Sequence, residues 1–233
     1  MVKNIVVLLP ALNEDKEIER VIGSIPTKFI LEDDYYEIYP IVADSESTDN
    51  TVEVALRNNI EVIMCDRGKG KTVRKAIEYL VSNKEFEYLV MLDSDGTYSP
   101  LYLKSMITYL EQCPEPLKAI VGVRELFSDK RAMTFINFIG NYLLTSLSKF
   151  LYKINSPDLC SGFWCLSYPL VKELKLKAEG FDLEANILTE INRLNSTLYY
   201  IPIKYQSRKE SETKLKVKHG LDIAKFLIKE KLQ

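Results

Sequence analysis

Short apolar runs alternate with amphipathic stretches through the first half of the chain. Five runs are rich in branched aliphatic residues and are bounded by polar or turn residues, which is typical of buried strands. These runs span residues 4–9, 38–43, 60–64, 89–92 and 118–121. The intervening stretches predict helices at 15–25, 71–81 and 101–110 and a short helix that ends at 56. Strands that alternate with helices predict an α/β domain whose mostly parallel sheet is covered by helices on both faces.

The second half of the chain departs from that alternation. Residues 135–152 carry apolar side chains at helical spacing, which predicts a strongly apolar amphipathic helix. Such a helix usually packs against a core, but it can also lie in a membrane interface. Further elements are predicted as a strand or hairpin at 160–167, a helix at 181–194, a strand at 197–205 and a basic amphipathic helix at 215–232.

Composition and charge narrow the class of protein. The 233 residues are 46% hydrophobic and 27% charged, as in an ordinary globular domain, and the net charge of −2 gives no indication of nucleic-acid binding. Residues 201–233 hold nine Lys/Arg against four Asp/Glu. This local excess favours an anionic surface such as phospholipid, or it belongs simply to a solvated helix.

Membrane spans and export signals are not predicted. No apolar run approaches the about 20 residues that a spanning helix needs. The chain also enters its first strand directly, without the pattern of a signal peptide. We therefore expect a cytoplasmic protein whose contact with a membrane is peripheral.

Two aspartates follow the most apolar of the predicted strands. The stretch 88–100 (YLVMLDSDGTYSP) places Asp93 and Asp95 directly after residues 89–92. Open α/β sheets bind their ligands at the carboxyl ends of their strands. Hard carboxylate oxygens at that place suit Mg²⁺ or Mn²⁺ shared with substrate phosphates. The alternative is that the two aspartates only cap the next helix.

Three further polar loops are expected at the same edge of the sheet, at 10–14 (PALNE), at 44–49 (DSESTD) and at 67–70 (RGKG). Glu14 and Asp44 can accept hydrogen bonds from a base or a ribose. Glycines at 68 and 70 permit close approach of the backbone to a ligand, and Lys69 or Lys71 can meet phosphate charge. Together with a metal at the aspartates, these loops fit a nucleotide diphosphate.

In this order, the motifs PALNE, DxxSTD, RGKG and DxD resemble the family 2 glycosyltransferases of the GT-A fold, a Rossmann-like single domain. Four later segments resemble the polyprenyl-phosphate branch, which includes the dolichol-phosphate mannose synthases and polyprenyl-phosphate glucosyltransferases. They are 121–124 (VGVR), 158–163 (DLCSGF), 181–184 (FDLE) and 212–215 (ETKL). The similarity runs from about residue 6 to about residue 215.

The resemblance implies inverting transfer of a hexose from a UDP- or GDP-sugar to a polyprenyl or dolichyl phosphate at the cytoplasmic membrane face, with Mg²⁺ or Mn²⁺. It divides the single domain into a nucleotide-sugar half (1–122), an acceptor half (123–215) and a C-terminal amphipathic helix (216–233). On the donor side it implies contacts from Pro10, Ala11, Asn13, Glu14, Asp44, Lys69, Lys71, Asp93 and Lys214, with Asp93 and Asp95 holding metal and diphosphate. On the acceptor side it implies Arg124 and Arg131 for the phosphate, with Asp158, Ser161 and Gly162 beside them.

The chain departs from the family pattern at three places. Ser45 and Glu46 stand where a second acid and a glycine are common, so Asp44 is left as the base-reading acid. Thr97 stands where mannose synthases can offer a glutamine to the metal. Many relatives also carry C-terminal transmembrane helices, whereas here the helices at 135–152 and 215–232 would supply the membrane contact.

The acceptor decides what chemistry Asp158 must perform. A phosphate monoester is already anionic near neutral pH, because its second pKa is about 6, and so it needs positioning more than a base. A hydroxyl acceptor would need a general base, for which Asp158 is the candidate.

Two alternatives from other classes remain at this stage. Residues 92–97 (LDSDGT) also resemble the nucleophile motif of haloacid-dehalogenase-type phosphatases, although no later strand end supplies the paired aspartates of such a site. A nucleotide-sugar-binding protein without turnover is the other alternative, but both metal acids and both arginines are retained.

Overall fold

A computed structural model describes residues 1–125, 134–154, 156–208 and 217–232. Within these ranges, eight strands form one sheet in the order β2-β3-β1-β5-β7-β6-β8, and β4 pairs with the carboxyl half of β3. The strands are β1 (Val2–Ala11), β2 (Lys28–Leu31), β3 (Asp34–Asp44), β4 (Glu61–Met64), β5 (Tyr88–Met91), β6 (Lys118–Glu125), β7 (Trp164–Ser167) and β8 (Thr197–Lys204). The helices are α1 (Asp15–Ser24), α2 (Thr51–Arg57), α3 (Lys69–Asn83), α4 (Tyr102–Glu111), α5 (Phe135–Tyr152), α6 (Tyr168–Glu173), α7 (Leu183–Arg193) and α8 (Val217–Leu232).

The predicted α/β fold is confirmed: strands alternate with helices in the first half of the chain, and the sheet is mostly parallel. β1 pairs in parallel with both β3 and β5, and β6 pairs in parallel with β8. Within the described ranges, β2 and β7 are the strands that run in the opposite direction. The sequence did not predict β2 or α6, because each is only four to six residues long, too short for a clear period.

Side chains alternate between the two faces of the sheet, as the pleat requires. On β1, Ile5 and Val7 join a core with α1, α2 and α4, whereas Val6 and Leu8 join a second core with α3, α6 and α7. Both faces are therefore covered by helices, and the carboxyl ends of the parallel strands remain available to a ligand.

The antiparallel strand β7 brings the second half of the chain to that same edge. Trp164 at its start pairs with Met91 at the end of β5. Because β7 runs against β5, the loop that precedes β7 lies beside the loop that follows β5. Residues 158–163 are thereby placed next to Asp93 and Asp95.

One side of helix α5 packs against the core through Leu144, Leu147 and Leu151, and polar side chains are buried beside them. Its buried residues are Asn141, Leu144, Thr145 and Ser148. Its large exposed side chains are Phe135, Ile136, Ile139, Tyr142, Leu143 and Phe150. Both predicted uses of this helix stay open, because part of its apolar surface packs against the core while six large apolar side chains face outward. Across the described ranges, no helix is both long enough and apolar enough to cross a membrane.

Candidate active site

A cavity of about 1040 Å³ opens at the carboxyl edge of the sheet. Of the predicted donor-side residues, those that line it are Pro10, Ala11, Asn13, Glu14, Lys69, Asp93 and Asp95. The cavity wall is completed by the 179–182 loop and by the first turns of α8. The four loops that the sequence assigned to one edge of the sheet therefore do converge there.

Asp93 is fixed by a lysine of the cavity lining. Lys69 Nζ lies 2.6 Å from Asp93 Oδ1 and 2.7 Å from Glu184 Oε1. Burial alone would lower the pKa of Lys69, but the two carboxylates outweigh it and hold that pKa above its ordinary value. The lysine therefore stays protonated and joins the loop after β5 to α7. A side chain at Gly162 could not be accommodated, since its Cβ would lie 2.2 Å from Asp93 Oδ2.

Asp95 has a different set of partners. Its Oδ1 accepts hydrogen bonds from the Thr97 amide at 3.0 Å and from the Thr97 hydroxyl at 2.6 Å. Its Oδ2 forms a close ion pair with Arg208. Arg208 also lies 3.6 Å from Glu14, measured from Nη1 to Oε1. Thr97, at the position where the resemblance to mannose synthases allows a glutamine, thus orients the carboxylate itself.

Sequence reasoning missed Arg208 and Glu184. The available signal for Arg208 was its place shortly after the predicted strand at 197–205; the structure adds that β8 is parallel to β6, so that the segment after it reaches the same edge of the sheet. The backbone of Tyr98 forms a bridge with Tyr205, and Gln206 N donates to Thr97 O at 2.9 Å. These contacts hold the end of β8 against the loop of Asp95 and bring Arg208 to it.

Asp44 is completely buried beside the cavity and does not line it. One carboxylate oxygen, Oδ2, accepts from Ser47 N at 2.9 Å. The other, Oδ1, has no hydrogen-bond partner among the described residues. Buried carboxylate oxygens in proteins usually accept a hydrogen bond. Asp44 Oδ1 therefore retains the capacity to accept a hydrogen bond from a ligand.

The loop of Asn13 is bound to the loop of Asp44. Asn13 adopts a positive φ of 51°, and its Oδ1 accepts from Thr48 N at 2.8 Å. Asn13 N in turn donates to Ser47 Oγ at 2.9 Å. Asn13 therefore shapes the cavity wall through contacts with its neighbours.

The backbone of the 178–180 segment packs against Gly70 of the glycine-rich turn. Gly70 N donates to Gly180 O at 3.1 Å, and a Cβ at Gly70 would lie 2.4 Å from Ala178 O. Lys71 does not line the cavity, because its Nζ lies 3.6 Å from Glu179 Oε2. Two lysines were predicted to meet phosphate charge. The structure places Lys69 in the cavity lining and Lys71 in an ion pair with Glu179 outside it.

The predicted acceptor residues that the structure describes do not line the cavity, and they are organised around a second Arg–Asp pair. Arg124 Nε and Nη2 each donate to Asp158 at 2.7 Å, and the Arg124 amide donates to Oδ2 at 3.2 Å. Asn141 of α5 adds a fourth donor at 2.9 Å. Burial would raise the pKa of Asp158, but Arg124 outweighs it and holds that pKa below its ordinary value. Asp158 is therefore an ionised carboxylate whose acceptors are engaged.

The remaining acceptor-side residues lie around this pair. Ser161 Oγ donates to Gly122 O, and Gly162 N donates to Tyr98 Oη at 2.9 Å. The Arg124 guanidinium lies over the Tyr205 ring at 5.1 Å. Arg131 and Lys214, which the resemblance placed at the phosphates, lie outside the described residues.

Comparison with known families decides what kind of protein this is. The profile described as "Glycosyl transferase family 2" matches residues 6–175. The chain belongs to glycosyl transferase family 2. The predicted family is thus confirmed, and the phosphatase alternative fails because neither the family nor the fold is that of a phosphatase.

Two curated relatives show how far the likeness extends. Glycosyltransferase AglJ of Haloferax volcanii is 30% identical over 179 residues, which cover 75% of this chain and 56% of AglJ. Protein RfbJ of Shigella flexneri is 31% identical over 128 residues, 54% of this chain and 90% of RfbJ. The chain thus spans little more than half the length of AglJ.

Solved structures confirm the GT-A fold. Glucosyl-3-phosphoglycerate synthase of Mycobacterium tuberculosis with UDP gives a TM-score of 0.71 at 22% identity and covers 99% of this chain and 79% of that one. Its complex with Mn²⁺ and UDP-glucose gives 0.69 at the same identity, covering 99% and 78%. Other structures of that enzyme contain phosphoglyceric acid or glycerol 3-phosphate.

Proposed function

We propose that this family 2 glycosyltransferase moves a hexose from a nucleotide diphosphate to a polyprenyl or dolichyl phosphate at the cytoplasmic membrane surface. One observation carries the acceptor assignment. The helix that supports Asp158 through Asn141 exposes several large apolar side chains, among them Leu143 and Phe150. A site whose supporting helix is apolar on the outside suits a substrate that is itself anchored in lipid.

The donor side supports a nucleotide-sugar. Pro10, Ala11 and Glu14 form one wall of the cavity, and Lys69 and the two aspartates form its floor. Asp44 lies buried beside these residues, and its Oδ1 has no partner among the described residues; we retain it as the candidate acceptor for a donor group of the base or ribose. The solved neighbours bind UDP-glucose, which supports the same use of the cavity here.

Mg²⁺ or Mn²⁺ fits the residues at the cavity floor. The described residues contain no group of three or more His, Cys, Asp or Glu side chains arranged to hold a metal. Asp95 Oδ2 already binds a cation, the Arg208 guanidinium. Magnesium is commonly held by one or two carboxylates together with substrate phosphates, and Asp95 with Asp93 would supply that part. When bound, the metal would stabilise negative charge on the departing diphosphate.

The acceptor needs orientation rather than deprotonation. An oxygen of the lipid phosphate attacks the anomeric carbon and forms the new bond, while the bond from that carbon to the diphosphate breaks and the nucleoside diphosphate departs. A phosphate oxygen brings its own negative charge. We therefore assign Asp158 an orienting role: with Asn141 it holds Arg124 and the acceptor loop. Arg131 and Lys214 remain candidate contacts to the acceptor phosphate and the diphosphate.

Peripheral membrane contact would come from α5 and α8. Phe150 is 82% exposed and Leu143 60% exposed on α5. On the neighbouring α8, Leu221, Ile228 and Leu232 are exposed, and so are Lys225 and Lys229. Apolar side chains flanked by lysines are the combination that binds anionic lipid surfaces.

A transfer assay tests the proposal. Purified protein with Mg²⁺ or Mn²⁺ is offered a panel of UDP- and GDP-sugars and a polyprenyl phosphate, and lipid-linked sugar is identified by mass spectrometry. We expect a product with one donor that disappears with Asp95→Asn and with chelator. Nucleotide binding without a lipid product would favour a hydroxyl or soluble acceptor, or a binding protein. That result would overturn the assignment of a lipid phosphate as the acceptor.

A further inference from the structure

The two aspartates of the Asp-x-Asp motif each carry a resident cation, and the two cations are held differently. Lys69 lies on α3, its side chain is 17% exposed, and it is shared between Asp93 and Glu184 at nearly equal distances. Both of its partners lie on the folded core.

Arg208 is held on a segment outside the helices and strands. It follows β8 by four residues, and its side chain is 21% exposed and lines the cavity. It contacts Asp95 on Oδ2, the oxygen opposite the one that Thr97 occupies. A metal that bound Asp95 through Oδ2 would meet the Arg208 guanidinium there.

We propose that Arg208 acts as a built-in counter-cation of Asp95, which keeps this carboxylate closed to free metal ions and yields it when the metal arrives with a nucleotide diphosphate. Guanidinium is weakly hydrated and forms strong charge-assisted bonds with carboxylates. A free Mg²⁺ ion gives up its bound water reluctantly, and it therefore competes poorly with the guanidinium for the carboxylate. This inference rests on the proposed use of the cavity.

The diphosphate changes that balance because it brings both metal ligands and negative charge. Arg208 displaced from Asp95 then has phosphate oxygens within the same cavity as alternative partners. Binding of metal and nucleotide would therefore be positively coupled through one side chain, and such coupling is reciprocal.

The test is direct binding of Mn²⁺, followed by the electron paramagnetic resonance signal of the free ion, without nucleotide. We expect Arg208→Gln to bind Mn²⁺ about tenfold more tightly than the wild type. Arg208→Lys, which retains a cation, should stay closer to the wild type. Arg67→Gln is the matched control, since Arg67 also lines the cavity and its loss removes the same charge.

The outcomes are distinguishable. Unchanged or weaker Mn²⁺ binding by Arg208→Gln would overturn the inference, and so would an equal gain in Arg67→Gln, since the effect would then be one of general charge. Circular dichroism checks that each variant is folded. If Arg208→Gln is unfolded, Arg208→Met takes its place and is expected to show the same gain in Mn²⁺ binding. If no variant binds Mn²⁺ even with UDP or GDP, the proposed function itself fails.

Discussion

Two Arg–Asp pairs lie near the carboxyl edge of the sheet, Arg208–Asp95 in the lining of the cavity and Arg124–Asp158 outside that lining, and the two pairs are made differently. Asp158 receives three hydrogen bonds from Arg124 and a fourth from Asn141, and it is only 2% exposed. Asp95 shares its carboxylate between Thr97 and Arg208 at the cavity wall.

The difference teaches that pairing alone does not assign a role. A buried, multiply bonded pair is costly to break, because removal of one partner leaves an uncompensated charge. A pair at the wall of a cavity can exchange its partner for a ligand. We therefore interpret Arg124–Asp158 as a positioning element and Arg208–Asp95 as part of the binding machinery.

The largest expected effect is the loss of the acceptor-side pair. Arg124→Ala should lower the free energy of unfolding by about 3–5 kcal/mol, because Asp158 would stay buried without its partner. Urea denaturation measures this, and the double variant Arg124→Met with Asp158→Asn should recover much of the loss. Arg208→Ala should cost much less. Equal losses for the two arginines would remove the distinction between the pairs.

Asp95→Asn should act on turnover. It removes the charge that faces the metal and diphosphate, so transfer should fall by about 100-fold or more. Unfolding in urea should change far less than for Arg124→Ala. Ser94→Ala, one residue away in the same loop, serves as the comparison variant. Transfer within a few-fold of the wild type for Asp95→Asn would contradict the donor-side account.

The outward face of α5 offers a sharper test of the acceptor side. Leu143→Glu should weaken binding to anionic vesicles about tenfold and change the free energy of unfolding by no more than about 0.5 kcal/mol. Leu144 is the matched control, since it is adjacent but only 9% exposed, and Leu144→Glu should instead destabilise the fold. Vesicle flotation measures the binding. Undiminished binding of Leu143→Glu would refute membrane contact through this face.

The smallest expected effect is on acid stability. The folded-state pKa of Asp158 lies below its unfolded value, so this group contributes stability above the unfolded pKa of about 3.9. That contribution is lost as the pH falls through the folded pKa. The double variant Arg124→Met with Asp158→Asn should therefore lose less stability between pH 5 and acid than the wild type, as thermal melts at each pH would show.

Much of the fold could be predicted from periodicity, because most strands are short apolar runs and most helices are long enough to show a period. The end of a central strand identified Asp93 and Asp95 correctly as cavity residues. The pairing of Arg124 with Asp158 could not be predicted, since the two residues are 34 apart in sequence and meet only through the antiparallel strand β7. The orientation of α5 was also hidden, because a helical period gives a stripe and does not say which side faces the protein.

The central claim concerns the acceptor, and one competition experiment tests it most directly. The protein, its donor sugar nucleotide and Mn²⁺ are given equal amounts of polyprenyl phosphate in anionic vesicles and of phosphoglyceric acid in solution, and both products are quantified by mass spectrometry. The account predicts that sugar accumulates on the lipid and that Leu143→Glu reduces this product selectively. Sugar found on phosphoglyceric acid, with none on the lipid, would contradict it.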